Sequence, residues 1–230
     1  MGFLAVTALT CIFAVLAAPS IKKAPLFWYG VAIGVDLLYF FGVSCGFPSP
    51  VLQVLSVTVQ RGLLATALFI VVMYCGVLPE RSSVRERLMG ARAELALIAS
   101  ILAAAHCANY LGSYAGVLLT AAGVLSWNQS ASLIIALVLL VLLVVLGGTS
   151  VKFVRRRMRQ DVWKFVQRSS YGFFALIYVH ELLVLYPSAA KGHTEALVSC
   201  VAGGAIFSLY FVLRVRTWTK ARAKVSTGSA

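Results

Sequence analysis

The sequence predicts an all-α integral membrane protein, a bundle of about seven transmembrane helices with its N-terminus out and its C-terminus in. Three observations predict it. Hydrophobic residues make up 61% of the chain, and the mean hydropathy of +0.93 exceeds what a soluble domain of 230 residues needs. Seven apolar stretches come close to or exceed the ~20 helical residues that cross a ~30 Å hydrocarbon core. The basic residues gather in alternate loops, as loops kept on the inner side of a membrane do. Strands are not required, because in lipid each span must satisfy its own backbone polar groups.

The spans fall at roughly 2–18, 26–46, 52–78, 93–124, 131–149, 169–187 and 194–213. The first, within MGFLAVTALTCIFAVLAAPS, ends in small residues like a signal peptide, but no positive region precedes it. Its nearest cations, Lys22 and Lys23, come after the apolar run, so it reads as a retained helix that starts outside. MGFLAV also resembles the start of a myristoylation site, yet Leu4, Ala5 and Val6 serve the span equally well. The fourth stretch is long and contains Gly112 and Gly116, which points to a tilt or an extra turn beyond the membrane. The terminal VSTGSA is small and polar and reads as disordered. The chain therefore divides into an extra N-terminal transmembrane helix and basic loop (1–25), a main transmembrane domain (26–187), a last helix (188–213) and a basic cytoplasmic tail (214–230).

Charge fixes the expected topology. The 80–92 loop carries Arg81, Arg85, Arg87 and Arg92, and the 150–168 loop carries Lys152, Arg155, Arg156, Arg157, Arg159, Lys164 and Arg168. The loops at 47–51 and 125–130 carry no charge. Seven spans are what this alternation needs to close. A net charge of +13 would suggest nucleic acid in a soluble protein; distributed in this way it suggests anionic lipid, and no nucleic-acid partner is expected. The five cysteines form no C-x-x-C pair and read as buried free thiols. Phosphate-loop, dinucleotide-glycine, H-E-x-x-H and serine-triad patterns are all missing from the sequence.

Chemistry is expected at two histidines. His106 falls in the fourth span and His180 in the sixth, and an ionisable residue inside a membrane is a functional hypothesis by default. His106 lies 14 residues past Arg92 and His180 12 residues past Arg168. At 1.5 Å per residue these are depths of ~21 and ~18 Å, so the imidazoles share one level. Two facing histidines at one level suit a bis-imidazole b-type haem. A proton relay, or two separate interhelical hydrogen bonds, fits the same spacing. Ala99, Ala103, Tyr110 and Ser113 share the His106 face; their small members leave room for a flat macrocycle, or serve close helix packing. His193, with no cluster around it, reads as a loop residue.

RAELALIASILAAAHCANY resembles the ligand helix of the ferric-reductase-like transmembrane domain family. TSVKFVRRRMRQDVWKFVQRSSYGFFALIYVH is more similar still to the second ligand helix of the haem-binding membrane subunit of the bacterial periplasmic methionine sulfoxide reductase system. Thr149, Ser150, the arginine run, Trp163, Gln167, Tyr171 and His180 carry that likeness, and RGLLAT (Arg61 to Thr66) resembles the start of the preceding family helix. The resemblance spans about residues 26–187 and implies a haem b on His106 and His180 as axial ligands of its iron. An inner haem would need ligands where Gln167 and Arg92 stand, and neither is a normal ligand, so one haem per chain is implied. In related metalloreductases a flavin takes the inner place. By that analogy Gln167, Trp163 and the arginines would hold FMN or FAD by amide hydrogen bond, stacking and phosphate pairing. A solvated basic loop with an interfacial tryptophan is the simpler reading of the same residues.

Arg61 lies within the third span, where a haem propionate or snorkelling to the outer interface would accommodate it. Asp36 and Glu181 would pair with Arg61 or stay protonated, and Glu181 should point away from whatever His180 faces, since helix neighbours are ~100° apart. The combined expectation is a multi-pass cytoplasmic-membrane cytochrome. It would carry electrons from a separate cytoplasmic-side donor (a flavoprotein, flavin or quinol) to ferric iron or a redox partner at the outer face. A non-haem transporter or assembly subunit using intramembrane His and Asp for protons is the rival.

Overall fold

The computed structural model describes residues 2–120 and 125–227, and every regular element among them is helical. The helices are α1 (Phe3–Lys23), α2 (Pro25–Cys45), α3 (Ser49–Leu55), a π-helical segment (Ser56–Gln60), α4 (Leu63–Tyr74) and α5 (Ser83–Gly90). They continue with α6 (Arg92–Thr120), α7 (Trp127–Ser150), α8 (Lys152–Arg157), α9 (Gln160–Arg168), α10 (Ser170–Ala190) and α11 (Thr194–Thr227). Six of the described helices are long and apolar enough to cross a membrane, counting Gln160–Ala190 as one; the bent pair Ser49–Gln60 and Leu63–Tyr74 makes a seventh. This is a multi-pass membrane protein.

Local chemistry sets several boundaries. Pro25 opens α2, where its missing N–H costs nothing. Gly46 closes α2 in the left-handed region at φ 67°. Ser126 caps α7 with a capping box completed by Gln129.

The third span departs from the straight helix expected over 52–78. Its two halves meet at 43°, with Gly62 in the left-handed region at φ 69°. The Arg61 N–H reaches back five residues to Ser56 O, and the Gly62 N–H three residues to Val59 O, so the regular four-residue ladder is lost at this point. The last span is longer than expected: α11 runs past 213 and through Thr227, into the stretch read as disordered, with 228–230 outside the described residues. The end of the expected 93–124 span, residues 121–124, also lies outside them.

Two cores hold the bundle. One packs Ala14, Ala17 and Ile21 of α1 and Leu68 and Val71 of α4 against Leu95, Ala99 and Leu102 of α6. Small residues let these backbones approach closely, and Ala99 is wholly buried here by helix packing. The other is aromatic: Phe174 of α10 stacks on Phe207 of α11 at 4.3 Å and meets Tyr210 edge-on at 4.9 Å. The outward faces of α2 and α7 remain apolar and exposed, as at Phe41, Val141 and Val144, which suits lipid.

Candidate functional site

Both intramembrane histidines are anchored through the same ring nitrogen. His106 Nδ1 lies 2.6 Å from the backbone carbonyl of Gln60, the last residue of the π-helical segment. A carbonyl only accepts, so Nδ1 carries the proton and the neutral ring keeps its lone pair on Nε2. His180 Nδ1 lies 3.1 Å from the hydroxyl and 3.3 Å from the carbonyl of Ser132, a buried residue in the first turns of α7. Its carbonyl contact assigns the same tautomer. The two imidazoles lie within electrostatic range of each other. Their helices, α6 and α10, pack far more on α4 and α7 than on one another. The arrangement is therefore two oriented imidazoles on two different helices, each with Nε2 outside its anchoring bond. That donor set fits bis-imidazole ligation of an iron porphyrin.

The histidine surroundings are aromatic and polar but carry no ion pair among the described residues. The Tyr110 ring sits 4.9 Å from that of His106. Tyr39 of α2 donates to Asn109 Oδ1, one turn beyond His106, at 3.0 Å. Arg61 is exposed at the break and close enough to Tyr110 to interact with it electrostatically. Neither Asp36 nor Glu181 pairs with Arg61: Asp36 Oδ1 and both Glu181 oxygens are buried without a hydrogen-bond partner. Glu181 packs against Gly203 of α11, while His180 faces α7, so the two neighbours do diverge.

The basic end of the bundle holds a cavity of about 560 Å³ between α4, α6, α7, α8, α9 and α10. Arg92, Arg155, Lys164 and Arg168 line it together with an apolar wall that includes Phe69, Val72 and Phe173. Trp163 and Gln167 line it too; the Trp163 N–H and one N–H of the Gln167 amide tie α9 to the end of α7. Trp163 Nε1 donates to Thr149 O at 3.1 Å, and Gln167 Nε2 donates to Thr149 Oγ1 at 3.0 Å. The Arg155 guanidinium covers the Trp163 ring at 4.3 Å. Lys152 pairs with the buried Glu94 of α6 at 3.1 Å, fixing the start of the basic loop to the bundle.

Residues 61–179 match the family model described as the ferric reductase like transmembrane component. The chain belongs to this family. The match starts at Arg61, beside the break in the third span, includes His106 and stops one residue short of His180. An uncharacterized protein of Treponema pallidum (strain Nichols) is 40% identical over 152 residues, which are 66% of this chain and 42% of that relative. The ferric reductase like chain thus spans less than half the length of that curated relative. No solved structure matches it.

Of the residues singled out in the sequence, the fold brings His106 and His180 within electrostatic range of each other and gathers Trp163 and Gln167 at the basic cavity. Arg61 stays with the histidine level. The sequence pattern does not mark Gln60 O, Ser132 or Thr149 as partners of these side chains. The break that presents Gln60 O has a weak local sign, because a glycine inside a helical pattern weakens the case for a continuous helix.

Proposed function

We propose that this ferric reductase like chain is a transmembrane b-type cytochrome with one haem b held by His106 and His180. The observation that carries this is the pair of imidazoles with both Nδ1 atoms bonded to backbone carbonyls of neighbouring elements. Haem iron supplies a one-electron couple when bound. The chain's own part is to fix both rings in the tautomer that presents Nε2 and to seat α6 and α10 on α4 and α7. Arg61, next to Gln60 in the chain and within electrostatic range of Tyr110, offers a partner for a propionate.

The basic end is proposed as the donor side, facing the cytoplasm of a cytoplasmic membrane, with the N-terminus out and the C-terminus in. Arg92, Arg155, Lys164 and Arg168 suit a phosphate of FMN or FAD, or the headgroup of a quinol. Because Arg155 already covers Trp163, phosphate pairing rather than ring stacking is the contact the cavity offers a flavin. The acceptor at the opposite face would be ferric iron or a redox partner, as in the methionine sulfoxide reductase system that the 149–180 segment resembles.

A reduced-minus-oxidised visible spectrum with a pyridine haemochrome assay on the purified full chain tests the reading. One b-type haem per chain is expected. Two haems would overturn the ligand assignment; none would favour proton handling by the histidines and Asp36. A reporter-fusion scan should put 152–168 and the tail on the cytoplasmic side, and the reverse result overturns the orientation.

A further inference from the structure

We propose that the π-turn and left-handed Gly62 break in the third span form a positioning device for His106, with Gly62 as the positioning residue. The inference rests on the ligand reading above for its purpose, but its geometry stands apart from it. In an unbroken α-helix the Gln60 carbonyl would accept from the N–H four residues on. Here the π-helical turn over Ser56–Gln60 and the turn at Gly62 take that oxygen out of the ladder, and the His106 Nδ1–H takes it instead at 2.6 Å. The carbonyl belongs to the main chain of a span, so it holds the ring more rigidly than a side chain could.

Gly62 is required for two separate reasons. Its φ of 69° is a conformation in which a Cβ is disfavoured. In addition, a Cβ at this position would lie 3.1 Å from His106 Nδ1 and 3.2 Å from Cγ. The imidazole therefore packs on the bare backbone of the break, and an added Cβ would push the ring off the carbonyl by a few tenths of an ångström. His180 has no equivalent device: its anchor is a serine in regular α7, at 3.1 and 3.3 Å. The two ligands are thus unequal. A shorter bond from Nδ1–H to a carbonyl makes the ring a stronger electron donor through Nε2 and favours ferric over ferrous iron.

Gly62→Ala is the test, and Gly46→Ala is its control. Gly46 has nearly the same φ, 67°, but nothing within 4 Å of its added Cβ, so it carries the backbone strain without touching a histidine. Ring-¹⁵N-labelled histidine NMR on the dithionite-reduced full chain should show a deshielded, slowly exchanging Nδ1–H that disappears with His106→Ala. Gly62→Ala should lose that slow exchange, raise the midpoint potential and shift the low-spin EPR g-values, with Gly46→Ala leaving all three unchanged. Equal changes from both variants would reduce Gly62 to a fold residue and overturn the proposal, as would a wild-type His106 Nδ1–H in fast exchange. An intact haem spectrum in His106→Ala would sink the ligand reading instead, while the NMR of the wild-type ring would still decide the positioning.

Discussion

The histidine level and the basic end of the bundle solve opposite problems with different atoms. At the histidine level the anchors are neutral main-chain carbonyls and one serine hydroxyl, supplied to each ring by a single neighbouring element. At the basic end the groups are exposed cations, and the fixed contacts serve the loop itself: Glu94 with Lys152, and Thr149 with Trp163 and Gln167. Inside lipid an unpaired polar group is expensive, and each imidazole is secured there through Nδ1. At the interface water satisfies what is left over, so cations can stay uncommitted and act at a distance. The first region is built for geometry and the second for attraction.

That contrast sharpens into a ranking of substitutions. The largest effect is expected at the geometric site. His106→Ala and His180→Ala should each abolish the six-coordinate spectrum, because neither ring has a substitute at its level. Gln167→His should not yield a second haem, since Arg92 stands at the matching depth of α6 and its Nε is bonded to Val72 O at 3.2 Å. Spectra and haemochrome counts of the three variants check this. A haem that survives both alanine variants would erase the distinction between the regions.

An intermediate effect is expected from charge. Replacing Arg155, Arg156 and Arg157 by Gln should slow reduction by the proposed donor roughly tenfold or more at low ionic strength, since steering by a charged patch is worth ~10 to 10³ in on-rate. The haem content should stay the same. Stopped-flow reduction across a salt series is the measurement, and the gap between wild type and variant should close as salt rises. A rate that is unaffected at low salt would leave the loop as a topology signal alone.

How much of this was legible in the sequence follows from the same division. The spans and the charged loops are properties of local composition and length, and these survive folding. The break at Gly62 was less legible, because Arg61 and Gly62 interrupt an apolar run without lowering its average hydropathy enough to divide it. The anchors of the two rings were not legible at all. A backbone carbonyl has no letter of its own, and Ser132 becomes special only because α7 lies against α10. The Ala99 face was read as room for a macrocycle or as close packing; at Ala99 itself the space is filled by the α1–α4–α6 core. Arg61 pairs with neither acid: Glu181 is turned to α11, and Asp36 Oδ1 lies buried without a hydrogen-bond partner.

The smallest effect is expected at Gln167, and it separates two roles that the sequence left together. If Gln167 contacts a flavin directly, removing its amide should weaken donor coupling as strongly as removing the arginines does. The structure shows one hydrogen bond of the side chain, and it is within the protein. Its Nε2 donates to Thr149 Oγ1 and joins Trp163 in clamping α9 onto the end of α7. Loss of one such neutral hydrogen bond costs about 1 kcal/mol. The Trp163 bond to the same residue remains, so the helix should stay docked. Gln167→Ala is therefore expected to leave the haem spectrum intact and to lower the rate of reduction by no more than a few-fold, with little dependence on salt. Thr149→Val, which removes the Oγ1 acceptor but keeps the carbonyl that Trp163 uses, should reproduce that phenotype. The double variant should then be no worse than either single one, because both delete the same bond. Additive losses in the double variant would instead mean that Gln167 acts on the donor itself.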